Sequence, residues 1–265
     1  MRDSLLSDNF FIMKKLFDDD AFEGHDELVS EIVKGFKVLD ADGQNSGIAG
    51  HLTARVDGAD QLLGHQYGLS FDEVGFADVR LVDFGFSASK QKQVSPSLAF
   101  HVALYQARPD IGAIVHTHPE SVIAFSATGC RFNPVFQSAL MLYRKVQHYD
   151  DYDGIIESSD LGQKFANYLS DGQILLLKNH GLISVGKTIG DAVCAAVIFH
   201  QNCRIQLAAM SSGNVSGFAD DGTQHKTLLE AAEFLASEKI VKMRFEQLVR
   251  ATQKNFLPFE QPKRT

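Results

Sequence analysis

Apolar and polar positions alternate along this chain with two different periods. From Asp26, the run DELVSEIVKGFKVLDADG sets Leu28, Ile32, Val33, Phe36 and Leu39 at helical spacing and stops at Asp42-Gly43, which predicts an amphipathic helix. Between Ile48 and Gly85 the apolar residues come in short runs broken by Gly and Asp, which predicts several strands joined by turns. Ser95-Pro96 suits a helix start, and Leu98, Val102 and Tyr105 mark a helix ending near Arg108-Pro109-Asp110. The apolar run from Gly112 to Val115 predicts a buried strand that delivers the chain into His116-Thr117-His118-Pro119. Asp160 to Ser170 reads as a helix, and Ile174 to Leu177 and Leu182 to Val185 as strands on either side of Asn179-His180-Gly181. Thr188 and Asp191 have the spacing of a capping box for a long helix through about Met210. Gly213 to Gly222 reads as a flexible loop, and His225 to about Lys254 as one closing helix.

Residues 1–25 mix apolar and acidic positions without a period. The pattern therefore divides the chain into an N-terminal arm (1–25), a main domain (26–212) and a C-terminal loop with a helical extension (213–265). Without internal repeats or composition breaks, a single α/β domain is expected. A 45% hydrophobic content supplies a sizeable core.

Charge and cysteine content narrow the function. A net charge of -8, from 33 acidic and 25 basic residues with no long Lys/Arg run, excludes a nucleic-acid footprint. Cys130, Cys194 and Cys203 lack CxxC spacing, so neither a disulfide framework nor a thiolate zinc site is indicated. No segment has the composition of a signal peptide or the roughly 18 consecutive apolar residues of a membrane span, so a cytoplasmic protein without membrane attachment is expected.

His116 and His118 lie two apart at a strand end, where both imidazoles project from one face, and Pro119 stops the ladder just beyond them. His180 likewise follows an apolar strand and precedes a glycine that lets the backbone turn. Three neutral histidines suit Zn²⁺ with one position left open for water or substrate. Fe²⁺ is the alternative if Glu120, otherwise a helix-first-turn carboxylate, turns inward as a ligand or base. His101 reads as a packing residue on its helix. Tyr143, His148 and Tyr152 fall in a polar aromatic stretch, LYRKVQHYDDYDG, that reads as a solvated loop, with Tyr143 a candidate proton donor across a subunit contact.

RPDIGAIVHTHPESVIAFSATG (108–129), followed by ILLLKNHGLISVGKTIGDA (174–192), resembles the class II aldolase/adducin family in the order and separation of both blocks. The resemblance implies a three-layer α/β/α sandwich around a central mixed, largely antiparallel sheet. It also implies metal ligation by His116, His118 and His180, and a homo-oligomer, tetramer or dimer, with sites at subunit interfaces. Two departures bear on activity. The catalytic Glu of the aldolases, four residues before the histidine that matches His101, is replaced by Ser97, which cannot act as that base. In the segment similar to the phosphate-binding Gly-Asn-x-Ser-x-Arg, which here is Gly50-His51-Leu52-Thr53-Ala54-Arg55, His51 replaces Asn.

These changes point away from a sugar phosphate. The expectation is a lyase of the aldolase, decarboxylase or dehydratase kind, acting on a small oxygenated, carboxylated compound through a metal-stabilised enolate. Zn²⁺ is the expected metal, with Fe²⁺ or Mn²⁺ as alternatives. His51, Glu120 and Tyr143 are the candidate catalytic groups, and Arg55, Thr53 and Ser97 the candidate substrate contacts, Arg55 through a bidentate carboxylate contact. The competing expectations are a non-catalytic adducin-like binding module and an Fe²⁺-dependent oxygenase on the same scaffold.

Overall fold

Seven strands pair into one sheet: β1 (His51–Arg55), β2 (Gln61–His65), β3 (Val79–Asp83), β4 (Ala113–Thr117), β5 (Val146–Tyr149), β6 (Ile174–Leu177) and β7 (Gly181–Gly186). Their order is β3-β2-β1-β4-β7-β6-β5. Every neighbouring pair is antiparallel except β5 with β6, so the sheet is mixed and largely antiparallel. This computed structural model describes residues 24–85, 93–156, 158–213, 215–218 and 224–254. The arm over 1–25, apart from Gly24 and His25, falls outside those residues, as do much of the 213–222 loop and residues 255–265.

The helices are α1 (Asp26–Ala41), α2 (Leu98–Ala107), α3 (Glu120–Ala127), α4 (Ser159–Leu169), α5 (Ile189–Met210), α6 (His225–Leu235) and α7 (Glu238–Lys254). One sheet face lies under α1, α3 and α5, where Phe36, Leu39, Val115, Val122 and Phe199 share a core. The other face lies under α2 and α4, where Phe100, Leu104, Ile114 and Phe165 form a second core. Alternation along β4 explains the split, because Ala113 and Val115 enter the first core and Ile114 enters the second. The result is the expected three-layer α/β/α sandwich. Thr188 and Asp191 form the predicted capping box: the Thr188 Oγ1 accepts from the Asp191 N–H at 3.1 Å, and the Asp191 carboxylate accepts from the Thr188 N–H at 3.0 Å.

Two elements differ from the sequence reading. The closing helix is two, because Ala236 N–H bonds Ala232 O to end α6, while Ser237 spends its hydroxyl on Phe234 O and its carbonyl on Val241 N–H, the first bond of α7. The stretch around Tyr143 is not a free loop. A 3₁₀ turn over Gln137–Leu142 leads into β5, a short polar edge strand whose parallel pairing with β6 leaves little hydrophobic signal.

Candidate metal centre

Topology brings the histidines together at one end of the sheet. β4 and β6 are both antiparallel to β7, so their C-terminal ends coincide, and these ends carry His116 and His118 on one side and His180 on the other. β1 runs antiparallel to β4 with His51 directly opposite His116, so its first residue joins them. The strand ends are fixed by the loop before β1: Thr117 Oγ1 donates to Gln44 Oε1 at 2.7 Å, and the His118 N–H donates to Ser46 Oγ at 2.8 Å. Asn179, in the left-handed region at φ 55°, and Gly181 make the turn that aims His180. A Cβ at Gly181 would come within 2.3 Å of the Thr117 carbonyl oxygen and 3.1 Å of His118 Cα, so only glycine permits this approach.

The His118 Nε2 lies 3.0 Å from His116 Nε2 and 3.0 Å from His180 Nε2. His116 Nδ1 donates to the Leu182 carbonyl at 2.9 Å, which leaves its Nε2 as a lone pair facing the other two rings. Burial holds the His116 imidazole well below its ordinary pKa, holds His118 at about 4, and lowers His180; neighbouring histidines add to the first two shifts. Neutral rings cannot satisfy three convergent nitrogens with one another, since a single ring proton on His118 can serve only one neighbour. All three ligand atoms lie within 4.8 Å of one another, a spacing and chemistry that fit a divalent cation.

The remaining predicted residues separate into two groups. His51 is buried beside the centre, its ring 6.0 Å from that of His116 and nearly parallel to it, and neither of its nitrogens has a protein partner. Ser97 precedes α2, whose N-terminal end is also at this end of the sheet, since His101 lies by His51 while Tyr105, one turn on, reaches Thr53. Glu120 opens α3 two residues after His118 and is exposed. Thr53 is fully buried, with its hydroxyl shared between His101 Nδ1 and the Tyr105 hydroxyl, both at 2.9 Å.

Arg55 lies four residues along β1 from His51, about 13 Å at strand rise. Its guanidinium bonds the carbonyls of Ile111, Tyr105 and Arg108 and lies over the rings of Phe84 and Tyr105, and it thereby satisfies the C-terminal end of α2. Tyr143 precedes β5, at the end of the sheet opposite the histidines, and meets His225 Nδ1 at 3.2 Å. The chain does not bring either residue to its own three-histidine cluster.

Sequence reasoning missed two neighbours of the site. A groove beside His180 is walled by Tyr149, Phe165 and Leu177, with the Tyr149 hydroxyl donating to Asp153 and Lys164 Nζ 3.0 Å from the same carboxylate. The other is Tyr105, one turn from His101 on α2, for which the i, i+4 spacing was the available signal.

The domain is a layered α/β sandwich in which three histidines converge at the carboxyl ends of β4 and β6, a group that could hold a metal ion. The chain belongs to the Class II Aldolase and Adducin N-terminal domain family, whose description matches residues 30–207. It is 31% identical over 171 residues to the 4-hydroxy-3-prenylphenylpyruvate oxygenase/4-hydroxy-3-prenylbenzoate synthase of Streptomyces roseochromogenus subsp. oscitans, covering 63% of this chain and 62% of that protein, less than two thirds of its length. It is 28% identical over 212 residues to the 3,4-dihydroxyphthalate decarboxylase of Rhodococcus jostii, covering 72% of this chain and 83% of that protein. An aldolase II superfamily protein from Pseudomonas syringae shares the fold, with TM-score 0.75 and 23% identity over 87% of this chain and 93% of that one. Among the described residues no helix is long and apolar enough to cross a membrane.

Proposed function

We propose that this chain is a divalent-metal-dependent lyase that decarboxylates a small hydroxylated carboxylic acid, with His116, His118 and His180 holding the cation. The convergence of three neutral imidazoles, one of them oriented by the Leu182 carbonyl, carries the reading. Such a donor set suits Zn²⁺ better than Fe²⁺ or Mn²⁺. When bound, the cation supplies a Lewis acid for substrate oxygens.

Ser97 in place of the aldolase glutamate favours decarboxylation over aldol cleavage. Aldol cleavage needs a base to take a hydroxyl proton first, whereas in decarboxylation the C–C bond breaks, CO₂ leaves, and the electron pair retained on carbon then receives a proton. The proton that carbon receives comes from solvent, and the burial of His51 next to His116 supports it as an N–H donor to a substrate oxygen there. The N-terminal end of α2, with Ser97 just before its first turn, supports an anionic substrate group at this end of the sheet. The two relatives' names refer to hydroxylated aromatic acids, which supports that substrate class. Assembly as a homo-oligomer is part of the reading, and Tyr143 contributes only if a neighbouring copy presents it.

The test is elemental analysis of anaerobically purified protein, followed by CO₂ release from a panel of hydroxylated aromatic and 2-keto acids. Near-stoichiometric zinc and CO₂ release, both lost by more than about 100-fold in His118→Ala, are expected. Bound iron with oxygen uptake would replace this reading with an oxygenase, in line with the Streptomyces relative. Protein that holds no metal even after reconstitution would instead be an adducin-type binding module.

A further inference from the structure

Behind His51 lies a buried hydrogen-bond chain whose direction can be worked out. Tyr105, Thr53 and His101 are each fully buried, and their polar atoms meet in sequence, Tyr105 OH to Thr53 Oγ1 and Thr53 Oγ1 to His101 Nδ1. Thr53 has one proton, so the chain runs one of two ways. If His101 Nδ1 carried a proton and donated to Thr53, Thr53 would donate to Tyr105, and the tyrosine O–H would be left buried with no acceptor. An unmet buried donor of that kind costs on the order of 1–3 kcal/mol. In the other direction the Tyr105 O–H donates to Thr53, the Thr53 O–H donates to His101 Nδ1, and both hydroxyls are satisfied. His101 must then carry its proton on Nε2.

His101 Nε2 is one of the few described side-chain atoms that are buried without a partner, and both nitrogens of His51 are others. The two rings are 5.6 Å apart between centroids and nearly perpendicular, and no direct hydrogen bond joins them, so the link between them runs through a bridging water. The His51 ring is surrounded by those of His101, His116 and His65, at 5.6, 6.0 and 6.2 Å between centroids. A lone pair of His51 turned to the His101 N–H leaves its other nitrogen protonated.

We infer that Tyr105, Thr53 and His101 are positioning residues that fix the tautomer of His51, so that it meets the metal centre as an N–H donor rather than as a base. The tautomer assignment stands on hydrogen-bond accounting alone; the consequence for catalysis rests on the decarboxylase reading, in which a proton must be delivered and none removed. His51 then donates its N–H as a hydrogen bond to a substrate oxygen, and the proton that carbon receives comes from solvent.

The test is histidine-selective ¹⁵N NMR of the Zn²⁺-reconstituted full chain, in which the pattern of ring nitrogen–carbon-bound proton couplings distinguishes the two tautomers. Wild type is expected to show His101 protonated on Nε2 alone and His51 in a single neutral tautomer. Thr53→Val, which keeps the shape and removes the hydroxyl, is expected to mix the tautomers of both rings while the His116 signals stay in place; Thr53→Ser is expected to restore the single pattern. Where decarboxylation is measurable, Thr53→Val lowers kcat about tenfold or more with KM little changed, and Thr53→Ser recovers it. His101 protonated on Nδ1, or a His51 tautomer unaffected in Thr53→Val, overturns the inference whether or not the protein decarboxylates anything. The expected NMR pattern in a protein without lyase activity would uphold the relay and defeat the catalytic reading alone.

Discussion

Gly181 decides whether His180 reaches the other two histidines. Its α-carbon faces the Thr117 carbonyl so closely that the added methyl of Gly181→Ala would have to displace backbone, at a cost of about 2 kcal/mol or more. Because the atoms displaced belong to Thr117 and His118, metal affinity should fall by at least about tenfold along with stability. Zinc titration with a competing chelator, alongside a urea melt, would reveal this; wild-type affinity in a folded Gly181→Ala protein would show that the close approach is unimportant. Arg55 teaches the opposite lesson at the same scale. Its motif position suggests a substrate contact, yet three backbone carbonyls occupy its guanidinium about 13 Å along the strand from His51. A motif conveys a residue's neighbours in sequence, and only the fold shows which partners have already claimed its donors.

At the level of elements, α5 is the central support of the sheet face opposite α2 and α4. Its first half is apolar almost all round, with every residue from Ala192 to His200 buried, so its start has to be fixed by chemistry other than amphipathic patterning. The Thr188–Asp191 box does so. Thr188→Ala should cost about 1 kcal/mol, read as a lower urea midpoint with unchanged slope, while metal content stays intact because the box lies at the β7–α5 turn, away from the histidine end. A variant as stable as wild type would mean that burial alone sets the helix start. The break between α6 and α7 was invisible because Ala236 and Ser237 are ordinary helix residues, and the interruption depends on where Ser237 spends its hydroxyl and carbonyl.

Across the whole molecule, the site end of the sheet concentrates neutral buried histidines, and acid stability should reflect that. Burial holds His65 at about 4 and His101 at about 3, against 6.5 for an exposed ring. Above pH 6.5 both are neutral in the folded and unfolded states, and their contribution to stability is complete. As the pH falls from 6.5 toward 4, the unfolded chain binds protons that the folded one refuses, so stability is lost. The urea midpoint should therefore change little between pH 8 and 7 and drop steadily between pH 6.5 and 5. A midpoint constant down to pH 5 would show that these rings accept protons without unfolding.

Local pattern alone was enough for the first helix, the strands around the histidines, the capping box and the HxH pair, because each depends on spacing within a few residues. With the family resemblance, it also singled out His180 as the third candidate ligand. Tertiary structure decided what depends on contacts distant in sequence: the 3.0 Å approach of His180 to His118, the removal of Tyr143 to the far end of the sheet, and the assignment of Arg55 to a helix terminus. It also turned His101, which reads as a packing residue in sequence, into the neighbour of His51, since a hydrogen-bond direction is set by which groups burial leaves without water.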